Sequence, residues 1–289
     1  MADLNSSYAY ISPRFPVFYD AWVFAMFGNT HSDTSVYQKY LRSYSHRLVI
    51  LDLCTGTGRV VRGLGRDYPH KSLEDAIIYG IDHAPAMVQR ARATSAPTHP
   101  TQEFKWKVAP ATGFYQVLDN GDKVDLLINS AGSISHLPNR RDVRLFLGQV
   151  KKSLRPETGV ALISVLTEMI HGPQEEEEIG ESNDPVEHGM GALVLPCKDD
   201  GEGLSGQWHK SPTKVIWNED KTVRTDSFCL ELRTDDGTVA WREDLHWELA
   251  LFDEDAWAAD VQGAGLEVVD TVPEGDTFQR FYVLSNPII

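Results

Sequence analysis

Two aspartates and two glycines are the residues of this chain whose types and spacing could do chemistry together. In LDLCTGTGRV, Asp52 closes an apolar run, Gly56 and Gly58 interrupt it, and the helix-period stretch RVVRGLGRDY follows. Glycine reaches positive φ and, lacking Cβ, lets a ligand approach the main chain. The start of the helix behind it presents free N–H groups. Such a turn can hold a nucleotide or can be purely structural. Two residues argue against a dinucleotide. The GxGxxG spacing counted from Gly56 requires a small residue at position 61, where Val61 stands. Asp52, directly before the turn, opposes a pyrophosphate, whereas its carboxylate suits a ligand carrying an amino group. In IIYGIDHAPAMVQRAR, Asp82 ends the next apolar run, where it can accept both hydroxyls of a ribose. That acid alone fits NAD or an adenosyl ligand. Together the two acids point to S-adenosyl-L-methionine (SAM).

Placing those groups requires strands that end side by side. Residues 48–53, 76–82, 124–130 and 159–165 are short, apolar and rich in β-branched side chains, as buried parallel strands are. Helix patterns lie between them. Pro85 suits a first turn, with Met87, Val88 and Ala91 on one face. Asn139 suits an N-cap ahead of the stripe Val143, Phe146, Leu147, Val150 and Leu154, and Pro156 and Gly159 stop that helix. Alternating strands and helices predict a doubly wound α/β sheet.

Residues 167–212 carry no sustained period and include the acidic run QEEEEIGESNDP, which reads as a solvated loop or an ordered lid. Strict alternation follows. Val239, Trp241, Leu245, Trp247, Leu249 and Leu251 share a face, with Glu243 the exception, while Arg242, Asp244, His246 and Glu248 face the other way. Phe228, Leu230 and Leu232 alternate upstream, TDDGT supplies a hairpin turn, and residues 213–217 add a strand. These segments predict a small antiparallel sheet. DEDAWAADVQGAG then reads as a helix with an acidic first turn, followed by strands at 266–272 and 279–285.

The chain has 289 residues, 42% of them hydrophobic, enough for one large domain or two small ones. A formal net charge of −15 and the lack of a Lys/Arg cluster argue against nucleic acid as a partner. Cys54, Cys197 and Cys229 are far apart, which suits a reducing compartment and gives neither a disulfide framework nor a metal site. With no leader pattern and no membrane-length apolar run, the expectation is a cytoplasmic protein that does not enter the membrane.

The stretches VILDLCTGTGRVV, IYGIDHAPAMVQRAR, DLLINSAGSISHL and FLGQVKKSLRPETGVALISV resemble the class I (Rossmann-like) SAM-dependent methyltransferases. The resemblance covers roughly residues 45–166, and LALFDEDAWAADVQGAGLEVVDTV resembles the family's late helix and strand. It implies a mostly parallel seven-stranded sheet with a small inserted antiparallel β lid. It also implies SAM as cofactor and S-adenosyl-L-homocysteine as product. Asp52 would lie near the sulfonium and amino end, with Cys54, Thr55, Gly56 and Gly58 around the methionine moiety. Asp82 would hold the ribose, His83 and Met87 would flank the adenine, and Asn129 and Ser130 would stand near the reacting methyl. FPVFYDAWVFAMFG resembles an aromatic helix folded over the cofactor, with Tyr19 at the methionine carboxylate or closing the pocket. The expected organisation is a helical cap at 1–45, a cofactor-binding core at 46–166, an acidic loop and β lid for substrate or dimer contact at 167–251, and completing elements at 252–289. The chain departs from the family at Cys54, where glycine is common, and after the third strand, where WKVAPATGF has no acid.

Methyl transfer from a sulfonium needs alignment, exclusion of water and, for a hydroxyl acceptor, a base. His136 follows the fourth strand at the carboxyl edge of the sheet, where ligands of open α/β sheets bind. His246 and Glu248 share the polar face of the lid strand. These three are the catalytic candidates, acting on a small-molecule acceptor through oxygen, nitrogen or carbon, plausibly in secondary metabolism, in a monomer or homodimer. Two other functions use the same pocket. One is a natural-product cyclase in which SAM is a cation that transfers nothing. The other is a SAM-binding interaction protein.

Overall fold

In the computed structural model the described residues are 7–27, 33–41, 46–66, 71–171, 191–198, 203–272 and 279–287. The N-terminal arm forms β1 (Ser7–Tyr8), α1 (Phe15–Phe27) and α2 (Thr34–Gln38). The alternating region follows as β2 (Val49–Leu53), α3 (Arg59–Arg66), β3 (Ile77–Asp82), α4 (Pro85–Thr94), β4 (Glu103–Val108), β5 (Leu126–Asn129), α5 (Arg140–Ser153) and β6 (Val160–Leu166). A short α6 (Thr167–His171) leads to β7 (Leu193–Cys197), β8 (Gly206–Lys210), β9 (Lys214–Trp217), β10 (Val223–Arg233) and β11 (Val239–Ala250). The chain closes with α7 (Glu254–Gly263), β12 (Glu267–Val272) and β13 (Gln279–Ser285).

The first sheet has seven strands in the order β12-β13-β6-β5-β2-β3-β4. β4, β3, β2, β5 and β6 run parallel, and β13 returns antiparallel to β6 with β12 antiparallel beside it. The apolar runs produce this because both faces are covered. Ile50, Ile78, Leu126 and Leu162 pack on one side, and Leu51, Tyr79, Leu127 and Ile163 on the other. Helix starts follow local chemistry: Pro85 opens α4, the Asn139 side chain accepts the Asp142 N–H at the head of α5, and Asp253 accepts that of Ala256 at α7. The chain order reverses between β2 and β5, the switch point at which open α/β sheets bind ligands.

The second sheet is larger than the alternation predicted. It has six strands, in the order β1-β11-β10-β8-β7 with β9 also on β10. β7 and β8 lie in the region read as loop. β7 holds Pro196 and is an edge strand, where a missing N–H is tolerated, while β8 reads GQWHK with a single large apolar side chain. Neither shows a strand period. β1 pairs parallel with β11 through Ser7–Leu245 and Tyr8–His246, so the N-terminal arm is stitched into this sheet. Helix α1 fills the space beneath it: Phe15 and Phe18 share a buried cluster with Trp208, Phe228, Leu245 and Trp247. The exception in the β11 stripe, Glu243, accepts a hydrogen bond from Ser12 Oγ at 2.6 Å. The acidic run QEEEEIGESNDP lies outside the described residues.

Candidate functional site

Strand β2 is buried along its whole length, which carries Asp52 into the interior at 0% exposure. The turn after it uses left-handed backbone three times, at Cys54 (φ +59°), Gly56 (+54°) and Gly58 (+84°). Thr55 N–H donates to the Ile81 carbonyl and Gly58 N–H to the Thr55 carbonyl, fixing the loop against β3. Asp82 completes the frame. One carboxylate oxygen accepts Gly56 N–H at 2.8 Å and the other accepts Ala84 N–H at 2.9 Å. It thereby ties the glycine loop to the head of α4 and keeps lone pairs for further donors.

Asp52 Oδ2 accepts Thr55 Oγ1 at 2.5 Å, whereas Oδ1 is buried with no hydrogen-bond partner. Burial pushes the Asp52 carboxyl up to about 7, against the pull of the Thr55 hydroxyl and the Arg59 charge. On β5, Asn129 sits opposite Leu53 and donates Nδ2 to its carbonyl at 3.2 Å, while Asn129 Oδ1 also has no partner. Two buried acceptors therefore end adjacent strands at the switch point. Leaving such atoms unpaired costs about 1–3 kcal/mol each.

The two glycines differ in purpose. A Cβ on Gly56 would stand 3.4 Å from the Tyr19 ring, so α1 lays an aromatic side chain over the loop. A Cβ on Gly58 would meet Trp106 and Ser95 at 3.0 Å and Ala91 at 3.3 Å, so this glycine lets β4 and α4 close on α3. Cys54 carries a thiol that burial pushes well up, which leaves it protonated and a poor nucleophile. His83 Nδ1 lies 3.4 Å from Asp82 Oδ1, and that hydrogen bond raises its pKa. Its ring meets those of Tyr8 and Tyr10, each at 6.3 Å. Met87 is fully buried in the cluster with Phe15 and Phe18. The Ser130 carbonyl accepts from Ser133 and starts the turn that carries His136. One contact had no sequence signal. Asp33, ahead of α2, pairs bidentately with Arg59 at 2.6 Å and accepts from Tyr37 Oη at 3.0 Å, all buried.

On the acceptor side, His136 Nδ1 is 2.9 Å from the Glu248 main-chain carbonyl. A carbonyl only accepts, so Nδ1 carries the hydrogen and Nε2 offers a lone pair, 3.3 Å from Tyr10 Oη. Burial depresses the His136 pKa to about 4, so the ring is neutral at physiological pH and a weak base. The other two catalytic candidates, His246 and Glu248, do not line the cavity. β11 presents Trp247 and Leu249 to the cavity, and strand alternation turns His246 and Glu248 to the opposite face. There His246 meets the Tyr8 ring at 5.9 Å, and Glu248 serves the site through its carbonyl.

The cavity between α1, the second sheet and the loop after β5 measures about 470 Å³. Tyr10, Tyr19, Trp22 and Val23 wall it from the arm, and Ala131 and His136 from the core. Trp22 and Trp247 stack with centroids 5.9 Å apart. At the end marked by Thr167 and Glu168 stand Arg224 and Asp226 of β10, which the sequence reading did not single out. Among the described residues no group of three His, Cys, Asp or Glu side chains is placed to hold a metal ion, and no helix is long and apolar enough to cross a membrane.

A mostly parallel seven-stranded sheet of this order, with acids ending β2 and β3 around a glycine turn, is the class I, Rossmann-like fold of the SAM-dependent methyltransferases. Residues 50–157 match the family model described as a methyltransferase domain. Among solved structures, an S-adenosylmethionine-dependent methyltransferase from Clostridium acetobutylicum is 14% identical, with a TM-score of 0.60 over 94% of this chain and 100% of its own. The SAM-bound amino pentose methyltransferase of Micromonospora echinaspora, involved in calicheamicin biosynthesis, is 16% identical, with a TM-score of 0.59 over 93% of this chain and 96% of its own. A sugar N-methyltransferase from a Streptoalloteichus species is 15% identical, with a TM-score of 0.59 over 93% of each chain. No curated protein matches.

Proposed function

We propose that this protein binds SAM at the carboxyl ends of β2, β3 and β5 and methylates a small-molecule amine held in the cavity under the second sheet. The observation that carries the reading is the pair of unpartnered buried acceptors, Asp52 Oδ1 and Asn129 Oδ1, at the switch point. Asp52 Oδ1 fits the ammonium of the cofactor's methionine moiety, and Asn129 Oδ1 offers a further acceptor at the neighbouring strand end. Asp82, already oriented by two main-chain N–H groups, has lone pairs for the ribose hydroxyls, and His83 borders the adenine side. Gly56 leaves the main chain open beneath Tyr19. When bound, SAM supplies an electrophilic methyl on a sulfonium and leaves as S-adenosyl-L-homocysteine.

The chain's own work is alignment and exclusion of water. His136 Nε2 can accept a hydrogen bond from an acceptor N–H in place of the Tyr10 hydroxyl that now faces it at 3.3 Å, and so aim the nitrogen lone pair. With a pKa near 4 it is too weak to strip a proton from an alcohol, which favours an amine that arrives neutral. The names of two structural neighbours, an amino pentose methyltransferase and a sugar N-methyltransferase, agree with that preference.

Calorimetry with S-adenosyl-L-homocysteine tests the cofactor site, and no binding at millimolar ligand overturns the reading. Incubation with SAM and a panel of primary and secondary amines tests the transfer. Each methylated amine is expected to appear with one equivalent of S-adenosyl-L-homocysteine. Turnover of an acceptor without that equivalent would instead indicate the non-transferring cyclase.

A further inference from the structure

On β10, alternation places Arg224, Asp226, Phe228, Leu230 and Leu232 on one face, so two charged residues occupy the apolar phase of the strand. Asp226 is only 4% exposed, and a carboxylate so buried persists only when paired. Its Oδ2 accepts Trp247 Nε1 and Arg224 Nη2, both at 3.1 Å. Arg224 Nε lies 2.8 Å from Asp226 Oδ1, but off the line of a hydrogen bond. On its other side Arg224 gives Nη1 and Nη2 to Glu168 at 3.2 and 3.1 Å. The guanidinium is thus held between two carboxylates, and an arriving anion would have to displace one of them.

What this end of the cavity has to spare is the opposite. The charged residues lining this end, one cation and two anions, carry a formal charge of −1, and the Lys210 ammonium acts on Asp226 from β8 outside the lining. Asp226 Oδ1 faces Arg224 Nε at 2.8 Å without an aligned hydrogen bond, and Thr167 Oγ1, also of the cavity wall, is buried without a partner. The walls leading here include Trp22 and Trp247, stacked on each other, which present apolar aromatic surface suited to a flat apolar body. Trp22 also touches Tyr19, 5.7 Å away between centroids, and Tyr19 lies on the glycine loop. The charged end is therefore the one remote from that loop.

Building on the methyltransferase reading, we propose that Asp226, Arg224 and Thr167 form a recognition subsite for the acceptor. It takes a group rich in hydrogen-bond donors and carrying no negative charge, an ammonium or paired hydroxyls, attached to an apolar or aromatic ring. Carboxylates and phosphates are rejected because Arg224 is already neutralised.

Three probes with one indole body and different ends, tryptamine, tryptophol and indole-3-acetate, test this on the full chain. S-adenosyl-L-homocysteine affinity is measured first by calorimetry. A failure there falls on the methyltransferase reading, and a failure of probe selectivity falls on the subsite. Saturation-transfer NMR on the loaded protein should show tryptamine and tryptophol binding at least about tenfold more tightly than indole-3-acetate. Tryptamine ahead of tryptophol identifies an ammonium subsite, and the reverse order a hydroxyl subsite. Asp226→Asn should collapse the gap between the charged and neutral probes while cofactor affinity holds. If that variant lacks a cooperative thermal transition, Glu168→Gln, altered at a mostly exposed side chain, carries the same comparison. Indole-3-acetate binding as tightly as tryptamine, or no probe binding at all, would overturn the assignment.

Discussion

At the proposed cofactor end the acids and the amide come from the last two residues of a strand, whereas at the proposed acceptor end each group arrives from a different part of the chain. Asp52, Asp82 and Asn129 end β2, β3 and β5, and the main chain of the loop between them is locked by its own short side chains. Tyr10 comes from the arm, His136 from the loop after β5, Glu168 from α6, and Asp226 and Trp247 from the second sheet. The first end is a property of the parallel sheet and exists once that sheet pairs. The second exists only when the arm, the core and the lid sheet are assembled. Such a division leaves cofactor binding rigid and lets the acceptor pocket be rebuilt by changes remote from the glycine turn.

The buried pair between Asp33 and Arg59 is the sharpest place to test whether arm and core are one unit. Arg59→Ala leaves Asp33 buried without its guanidinium, and breaking such a pair costs about 3–5 kcal/mol. Urea denaturation should show that loss in a single transition. Two separated transitions would mean that the arm folds independently of the core, and the contrast between the two ends would then be one between domains.

Asp82→Ala comes next in size. It removes the acceptor of two main-chain N–H groups and the proposed ribose partner together, at about 1–3 kcal/mol of ligand affinity. Calorimetry should show S-adenosyl-L-homocysteine binding roughly ten- to a hundredfold weaker, while Asp226→Asn leaves it within about twofold. Equal losses in the two variants would erase the distinction between the ends.

The same distinction governs what could be read from sequence. The parallel strands were legible because a strand buried on both faces is a continuous apolar run, and Asp52 and Asp82 were legible because each interrupts one at its end. The resemblance to class I methyltransferases rests on those same local stretches. β1, β7 and β8 were not legible: two residues, a proline-bearing edge and GQWHK bury too little to set a period. His246 and Glu248 were chosen as polar groups on a lid strand, yet the phase that makes them polar turns them away from the cavity. The useful signal was the reverse one, a charge standing in the apolar phase. Asp226 and Arg224 continue the stripe of Phe228, Leu230 and Leu232, and a buried-phase carboxylate demands a partner. Glu243 had the same signature and proved to hold Ser12.

Asp52 gives a pH test of intermediate size. Its carboxyl is raised by burial to about 7, above its ordinary value of 3.8. In the unliganded protein its contribution to stability is therefore full below about pH 4 and is lost as pH rises through about 7. A cationic ligand reverses the sign, because the ammonium prefers the ionised carboxylate. S-adenosyl-L-homocysteine affinity should fall by up to about tenfold per pH unit on the acid side of pH 7. Asp52→Asn should flatten that slope and weaken binding at pH 8. An unchanged slope in the variant would place the titrating group elsewhere, outside the strand-end frame.

The smallest expected effect concerns Cys54, a non-glycine residue that stands in left-handed backbone. A non-glycine residue in that conformation costs about 1–2 kcal/mol, so Cys54→Gly relieves strain. Against this, glycine loosens the unfolded chain by about 0.4–1 kcal/mol, and the thiol's packing against the core beneath β2 is lost. The terms nearly cancel, and denaturation should find stability within about 1 kcal/mol of the parent. Ligand affinity should hold within about twofold, because Asp52, Asn129 and the Gly56 main chain are all unaltered. A loss beyond about tenfold would show that the thiol itself shapes the cofactor pocket. The loop would then be tuned by a side chain, as the acceptor end is, and not by backbone alone.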